Sequence, residues 1–182
     1  NNRGQDDPTV QKLPELSFFA FKDSIPGTPL DFQGRATYDY FWREEGTKGH
    51  RLDVEPEVSL ALETDYLPVI PRAGMRYTQY AVDSYGNEPA VVDTNDKTPS
   101  RTLMTAGLSA FSELERVYEL NPPLAPTEQQ VGLTRWAKMK HSVIPRVDYS
   151  WVQTAGRQSR LPEFDEFDRI KPKNEITYSL TN

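Results

Sequence analysis

The sequence predicts an all-β fold of antiparallel strands joined by long loops. Three observations carry that expectation. Side chains sort with a period of two over runs of ten or more residues, helical periodicity is scarce, and aromatic residues gather near the ends of the runs. Such runs exceed the roughly five to six residues typical of soluble strands and match what a tilted strand needs to cross a bilayer. Pattern alone leaves two architectures equally open, a membrane-spanning barrel and a soluble β-sandwich or jelly roll, because a sandwich core also alternates and also uses aromatics.

The first clear run sets Phe32, Gly34, Ala36, Tyr38, Tyr40 and Trp42 against Gln33, Arg35, Thr37, Asp39, Phe41 and Arg43. The chain then turns through Glu44 to Gly49, a hairpin signal. Next, Leu52, Val54, Pro56, Val58, Leu60 and Leu62 share one parity, with Asp53, Glu55, Glu57, Ser59, Ala61 and Glu63 on the other. Val69, Pro71, Ala73, Met75 and Tyr77 repeat the sorting against Ile70, Arg72, Gly74, Arg76 and Thr78. A longer run places Met139, His141, Val143, Pro145, Val147, Tyr149 and Trp151 opposite Lys140, Ser142, Ile144, Arg146, Asp148 and Ser150. Weaker runs are Met104 to Ala110 and Ile176 to Leu180. Thr127 to Met139 reads as a loop edge entering a strand, since Pro122, Pro123 and Pro126 precede it and only Leu133 and Trp136 offer helical spacing. Tyr85 to Pro99 and Gln153 to Asp165 read as exposed loops. Tyr38, Tyr40, Trp42, Tyr66, Tyr77, Tyr80, Tyr149 and Trp151 are the candidates for aromatic girdles at lipid headgroups.

Composition narrows the classes. The 182 residues fit one domain on a prior of roughly 100 to 200 residues each. Only 36% are hydrophobic, and no run approaches the roughly 20 apolar residues of a spanning helix. A spanning strand shows lipid only every second side chain and escapes that test. The net charge of -6, without clustered Lys or Arg, excludes a nucleic-acid partner. Cysteine is absent, so neither disulfides nor thiolate metal sites are expected. The N-terminus has neither an initiator Met nor an apolar leader core, which reads as a processed or excerpted start.

Pro56, Pro71 and Pro145 fall inside alternating runs, where a missing ladder donor is unwelcome. They read as strand starts or bulges near a rim, or as weakened pairing that eases opening of the wall. No catalytic set stands out. His50 and His141 are the only histidines and lack ligand-spaced partners. Asp165/Asp168 and Glu55/Glu57 are acidic pairs of glycosidase type, but the second alternates with apolar residues like any wetted strand face. The expectation is a non-enzyme without metal or cofactor.

Several segments, in order, resemble one family. They are Arg51-Leu52-Asp53-Val54-Glu55-Pro56, Leu67-Pro68-Val69-Ile70-Pro71, Arg76-Tyr77-Thr78-Gln79-Tyr80, Ser100-Arg101 and His141 through Tyr149. Leu161-Pro162-Glu163-Phe164-Asp165 then leads into Phe167-Asp168-Arg169-Ile170 and Asn174 through Asn182. Together they resemble the barrel region of the lipopolysaccharide-assembly protein LptD family, also called organic solvent tolerance protein or OstA, from about Leu13 to Asn182. The resemblance implies residues 1–182 are an interior piece of an outer-membrane β-barrel, a curved sheet of antiparallel strands, without the family's N-terminal jellyroll and remaining strands. It implies transport of lipopolysaccharide to the outer leaflet of the bacterial outer membrane. The implied partners are lipopolysaccharide, outer-membrane lipids, periplasmic bridge proteins and a plug lipoprotein of the LptE type. The alternative from pattern is a soluble β-sandwich module binding carbohydrate.

On the barrel reading the Leu52 parity meets lipid, and Asp53, Glu55, Glu57, Arg72, Arg76, Arg146 and Asp148 line the lumen. Charge on the lipid face would cost about 2 to 4 kcal/mol near mid-bilayer. The family-motif residues are Arg101, Pro145, Asp168, Arg169 and Asn174. The block from Asp168 to Asn174 reads either as a joint that positions a luminal loop or as a local turn fixed by Asp and Asn side chains.

Overall fold

The computed structural model describes residues 10–119, 138–156 and 158–182. Among them, eight strands form one open, curved antiparallel sheet. In chain order they are β1 (Gln11–Ser24), β2 (Leu30–Trp42), β3 (Lys48–Leu60), β4 (Val69–Ser84), β5 (Ser100–Phe111), β6 (Leu114–Glu119), β7 (Lys138–Val152) and β8 (Lys173–Thr181). No helix among these residues is long and apolar enough to cross a membrane; two single 3-10 turns, Gln158–Arg160 and Glu166–Asp168, interrupt the β7–β8 connection. The expected antiparallel all-β sheet is present, but the sheet does not close. No second sheet packs against it among the described residues, so the sandwich alternative has no second layer.

Each strand through β5 pairs with its sequence neighbour, β5 and β6 both pair with β7, and β7 pairs with β8. One rim carries the tight turns. There Pro26 and Gly27 occupy the centre of a β1–β2 turn in which Thr28 N–H donates to Ile25 carbonyl at 3.1 Å, and Gly27 takes φ +77°, a backbone region that suits glycine. The opposite, loop rim carries the short 43–47 turn and the long connections 85–99 and 153–172. The 120–137 connection, including most of the segment read as a loop edge, lies outside the described residues.

Register decides the two faces. Phe32 lies opposite Val58, Ala36 opposite Val54 and Tyr38 opposite Leu52, continuing through Tyr77, Met75 and Ala73 to Met104, Ala106 and Leu108. Trp151, Tyr149 and Val147, then Ile176 and Tyr178, extend the same row. This apolar face leaves Leu52, Val58, Met104, Leu108, Ile176 and Tyr178 exposed, with nothing packed over it among the described residues.

The three prolines are neither strand starts nor bulges. β2–β3 and β3–β4 keep their register across Pro56, yet the β3–β4 ladder skips the Glu55/Arg76 and Pro56/Met75 pairs. It stops again at Ser59/Arg72, one step short of Leu60 and Pro71, then resumes with mutual Leu62 and Val69 hydrogen bonds of 2.9 and 3.1 Å. Between β5 and β6 the register with β7 is also unchanged. Ser112 N–H donates to Pro145 carbonyl at 3.1 Å, but Pro145 has no N–H to return the bond, and this splits one strand into two.

Candidate functional site

The face opposite the apolar row is charged, and the alternation that builds one builds the other. All seven residues expected to line the lumen, Asp53, Glu55, Glu57, Arg72, Arg76, Arg146 and Asp148, fall on it by register. They are tied into ladders across neighbouring strands. Gln33 donates to Glu57 at 2.7 Å and Arg35 to Glu55 at 2.8 Å. Arg76 donates through Nε to Asp53 at 2.8 Å, with a further contact to Glu55 at 3.1 Å. Arg72 reaches Ser109 Oγ at 3.3 Å, Ser109 donates to Asp148 at 2.6 Å, and Arg146 grips the same carboxylate at 2.6 and 2.9 Å. Asp53 is only 4% exposed, so it acts as an internal counter-ion rather than a water-lining group, a departure from the expectation.

Towards the loop rim this charged face is not open. The connection from β7 to β8 folds back over it as a strap, and this overturns the reading of Gln153 to Asp165 as an exposed loop. Leu161, Pro162 and Phe164 are buried, and the Phe164 ring stacks on Phe41 with centroids 4.7 Å apart and lies 5.9 Å from Tyr80. The Tyr85 to Pro99 loop stays largely exposed. Its Val92 is buried, however, and its Asp93 N–H donates to Arg160 carbonyl at 3.4 Å, so the two loops touch.

Asp168 pins the strap. It is fully buried, and its carboxylate accepts from Phe164 N–H at 2.7 Å, Asp165 N–H at 3.1 Å, Tyr80 hydroxyl at 2.8 Å and Arg51 Nη1 at 3.1 Å. Its backbone carbonyl accepts from Arg101 Nη1 at 2.7 Å. Arg51 in turn holds Asp39 at 2.9 Å and both oxygens of Asp165 at 2.6 and 3.1 Å, while Lys12 of β1 reaches Asp165 at 3.2 Å. Arg101 also donates to Gln158 Oε1 at 3.1 Å and Thr78 Oγ1 at 3.2 Å. Arg51 thus bridges Asp39, Asp165 and Asp168, Lys12 joins it on Asp165, Arg76 pairs with Asp53 and Glu55, and Arg101 adds a cation whose contact with Asp168 is through the backbone carbonyl. That shared network makes burial of so many charges tolerable. Burial alone would raise the Asp165 carboxyl, but the hydrogen bonds and charges of Arg51 and Lys12 outweigh it and hold the group below the ordinary carboxylate range.

The Asp168 block combines a local turn, made without Asn174, with a docking contact. The local bonds to Phe164 and Asp165 N–H make a turn, and the bonds to Arg51 and Tyr80 dock that turn on the wall. Arg169 works inside the strap, donating to Gln158 and Leu161 carbonyls at 3.2 and 3.3 Å and pairing with Glu163 at 3.0 Å. Asn174 is not part of the turn; it lies in β8 opposite Trp151, on the apolar row. Pro145 is remote, at the ladder gap in β7.

Tyr80 does not belong to the girdle. It faces the strap, fully buried, whereas Tyr77, three residues earlier, is on the apolar row. Phe41 and Arg51 were likewise missed as strap contacts. The available signal was an aromatic on the polar parity, where a wet wall has no use for one unless something covers it. His50 lies on the apolar face beside Tyr40, its Nδ1 2.8 Å from Tyr38 hydroxyl, and exposed His141 contacts Asn182. Among the described residues no group of three His, Cys, Asp or Glu converges in a metal-binding geometry.

Comparison with known proteins agrees with this two-faced wall. The family model described as LPS transport system D matches residues 1–182. An LPS-assembly protein LptD of Nitrosomonas eutropha is 29% identical over 93% of the chain, and one of Nitrosospira multiformis is 25% identical over 94%. A third, from Xanthomonas axonopodis, is 33% identical over half of the chain. The chain spans 23% and 18% of the length of the first two relatives. A sheet with one bare apolar face, one charged face and a match along its whole length places the chain in the LptD family.

Proposed function

We propose that this chain forms part of the wall of an outer-membrane β-barrel that moves lipopolysaccharide into the outer leaflet. The sorting of side chains carries the reading. A row from Phe32 to Tyr178 offers lipid an apolar surface across the sheet, and the opposite row offers water a ladder of paired Arg, Asp and Glu groups. Backbone groups in hydrocarbon must all be paired, so the two edges of this sheet call for further strands on each side. Because the inner charges are already paired with one another, a glycan can exchange hydrogen bonds with them without being trapped. The transport involves no bond making or breaking. A plug lipoprotein of the LptE type and periplasmic proteins that hand over lipopolysaccharide complete the proposal.

Substituted-cysteine labelling in the full-length protein in outer membranes tests it. Val54→Cys and Met104→Cys should be shielded from a water-soluble maleimide, while Glu57→Cys and Arg146→Cys should react. The reversed pattern would put the membrane on the wrong face and sink the proposal.

A further inference from the structure

The charged wall has one feature that water alone does not explain. Between the strap and the turn rim lies a cavity of about 620 Å³, within the range of roughly 300 to 1,000 Å³ for small-ligand clefts. Its polar side is the ladder of Gln33, Arg35, Glu55, Glu57 and Arg76. Its other lining is apolar: Phe19 and Phe21 from β1, Leu103, Val152, and Ile170 at the end of the strap. Phe19 lies opposite Arg35 and so belongs to the charged face, yet it is 53% exposed, and Phe21 is 86% exposed. Bare aromatic rings on a water-facing wall mark a surface that something covers.

We propose that this cavity is a saccharide subsite, holding one or two neutral sugar rings of the transported glycan; it rests on the transport reading above. The chemistry of the lining selects the class. A sugar ring has apolar C–H faces and a polar rim, and the cavity offers rings for the first and planar Arg, Glu and Gln groups for the second. An acyl chain would strip water from the Arg35–Glu55 pair without replacing its hydrogen bonds. A phosphate would meet Glu55 and Glu57 beside Lys22, Arg35 and Arg76, and both guanidinium groups are already engaged by Glu55, so its charge gains little from them. The strap sets the depth of the site, because Ile170 follows directly on the pinned Asp168–Arg169 pair, and Ile170 N–H is fixed to Gln158 Oε1 at 2.9 Å.

The test uses the full-length protein purified in detergent and the oligosaccharide released from lipopolysaccharide by mild acid. Phe19→Ala should weaken binding of that oligosaccharide about tenfold, whereas Phe18→Ala, on the apolar face, should leave it unchanged. Inorganic phosphate should not compete. Photocrosslinkers placed at Thr105 in the cavity, at Arg146 on the same wall outside it, and at Tyr178 on the lipid side give a second readout in cells. A glycan-dependent crosslink at Thr105 supports the subsite. Crosslinks at Arg146 without Thr105 overturn the subsite and leave the transport reading standing. Glycan crosslinks at neither position overturn both. Equal loss of binding in Phe18→Ala and Phe19→Ala, or competition by phosphate, overturns the assignment of class.

Discussion

A single carboxylate, Asp168, ties a segment of about 20 residues to β3 through Arg51 and to β4 through Tyr80, and the energetics of buried charge say how strongly. Removing one partner of a buried pair costs about 3 to 5 kcal/mol, because the group left behind stays desolvated. Asp168→Ala should therefore lower unfolding stability of the full-length protein by that order and open the strap to trypsin at Arg160 and Arg169. Tyr80→Phe deletes one hydrogen bond to a charged acceptor and should cost about 1.5 to 3 kcal/mol, read by the same denaturant titration. The depressed Asp165 carboxyl adds a pH dependence. A folded-state pKa below the unfolded value gives stability that is present above about pH 4 and is lost as pH falls through the folded value. Hydrogen exchange of the strap amides should accelerate over that acidic interval, and Asp165→Asn should flatten the response. Little of this was legible beforehand. The alternation was read from Leu52 onward, leaving out Arg51, and Asp168 sits 117 residues after Arg51, so no local pattern encodes that pairing. Tyr80 was assignable by parity, since an offset of three from Tyr77 puts it on the other face.

Strands proved the most readable level, because an unbroken period of two dictates both the element and its apolar row. The rows beginning at Phe32, Leu52, Val69 and Met139 lie in β2, β3, β4 and β7 with the expected parity. β1 was not read. Two register shifts, between Lys12 and Glu15 and between Ala20 and Asp23, break its alternation, and Phe18 and Phe19 face opposite ways. The proline gaps were half visible: sequence located the missing donors, and only the register shows that pairing resumes beyond them. Pro145→Ala should restore a donor opposite Ser112. Its new amide is expected to exchange slowly, like its β7 neighbours; exchange at the rate of free peptide would mean that the gap has another cause.

At the scale of the molecule, the described residues leave one apolar face uncovered and the outer strands of the sheet without further partners. In detergent-free buffer this chain alone should aggregate or stay without a cooperative unfolding transition, and ordered strand content, followed by circular dichroism, should require detergent or lipid. A cooperative monomer in plain buffer would contradict the assignment of the apolar face. In the full-length protein Val54→Lys should reduce membrane-folded stability by about 2 to 4 kcal/mol if that level lies near mid-bilayer, measured by urea unfolding in vesicles. The same substitution at Glu57 should cost far less, because that side is wet. Curvature, and the folding of a loop over the charged face, were beyond the sequence because both depend on how eight strands stand together.

The strap's reach also sets a timetable. Its anchors run from Lys12 in the first strand to Arg101 in the fifth, while the strap itself is made only after the seventh. Closing so long a loop is entropically expensive and slow. Without Asp165 and Asp168 in place, Arg51 would keep only Asp39 as an ionic partner. Docking of the strap therefore requires residues of β1 to β5 to stand in register, since its network draws on all five.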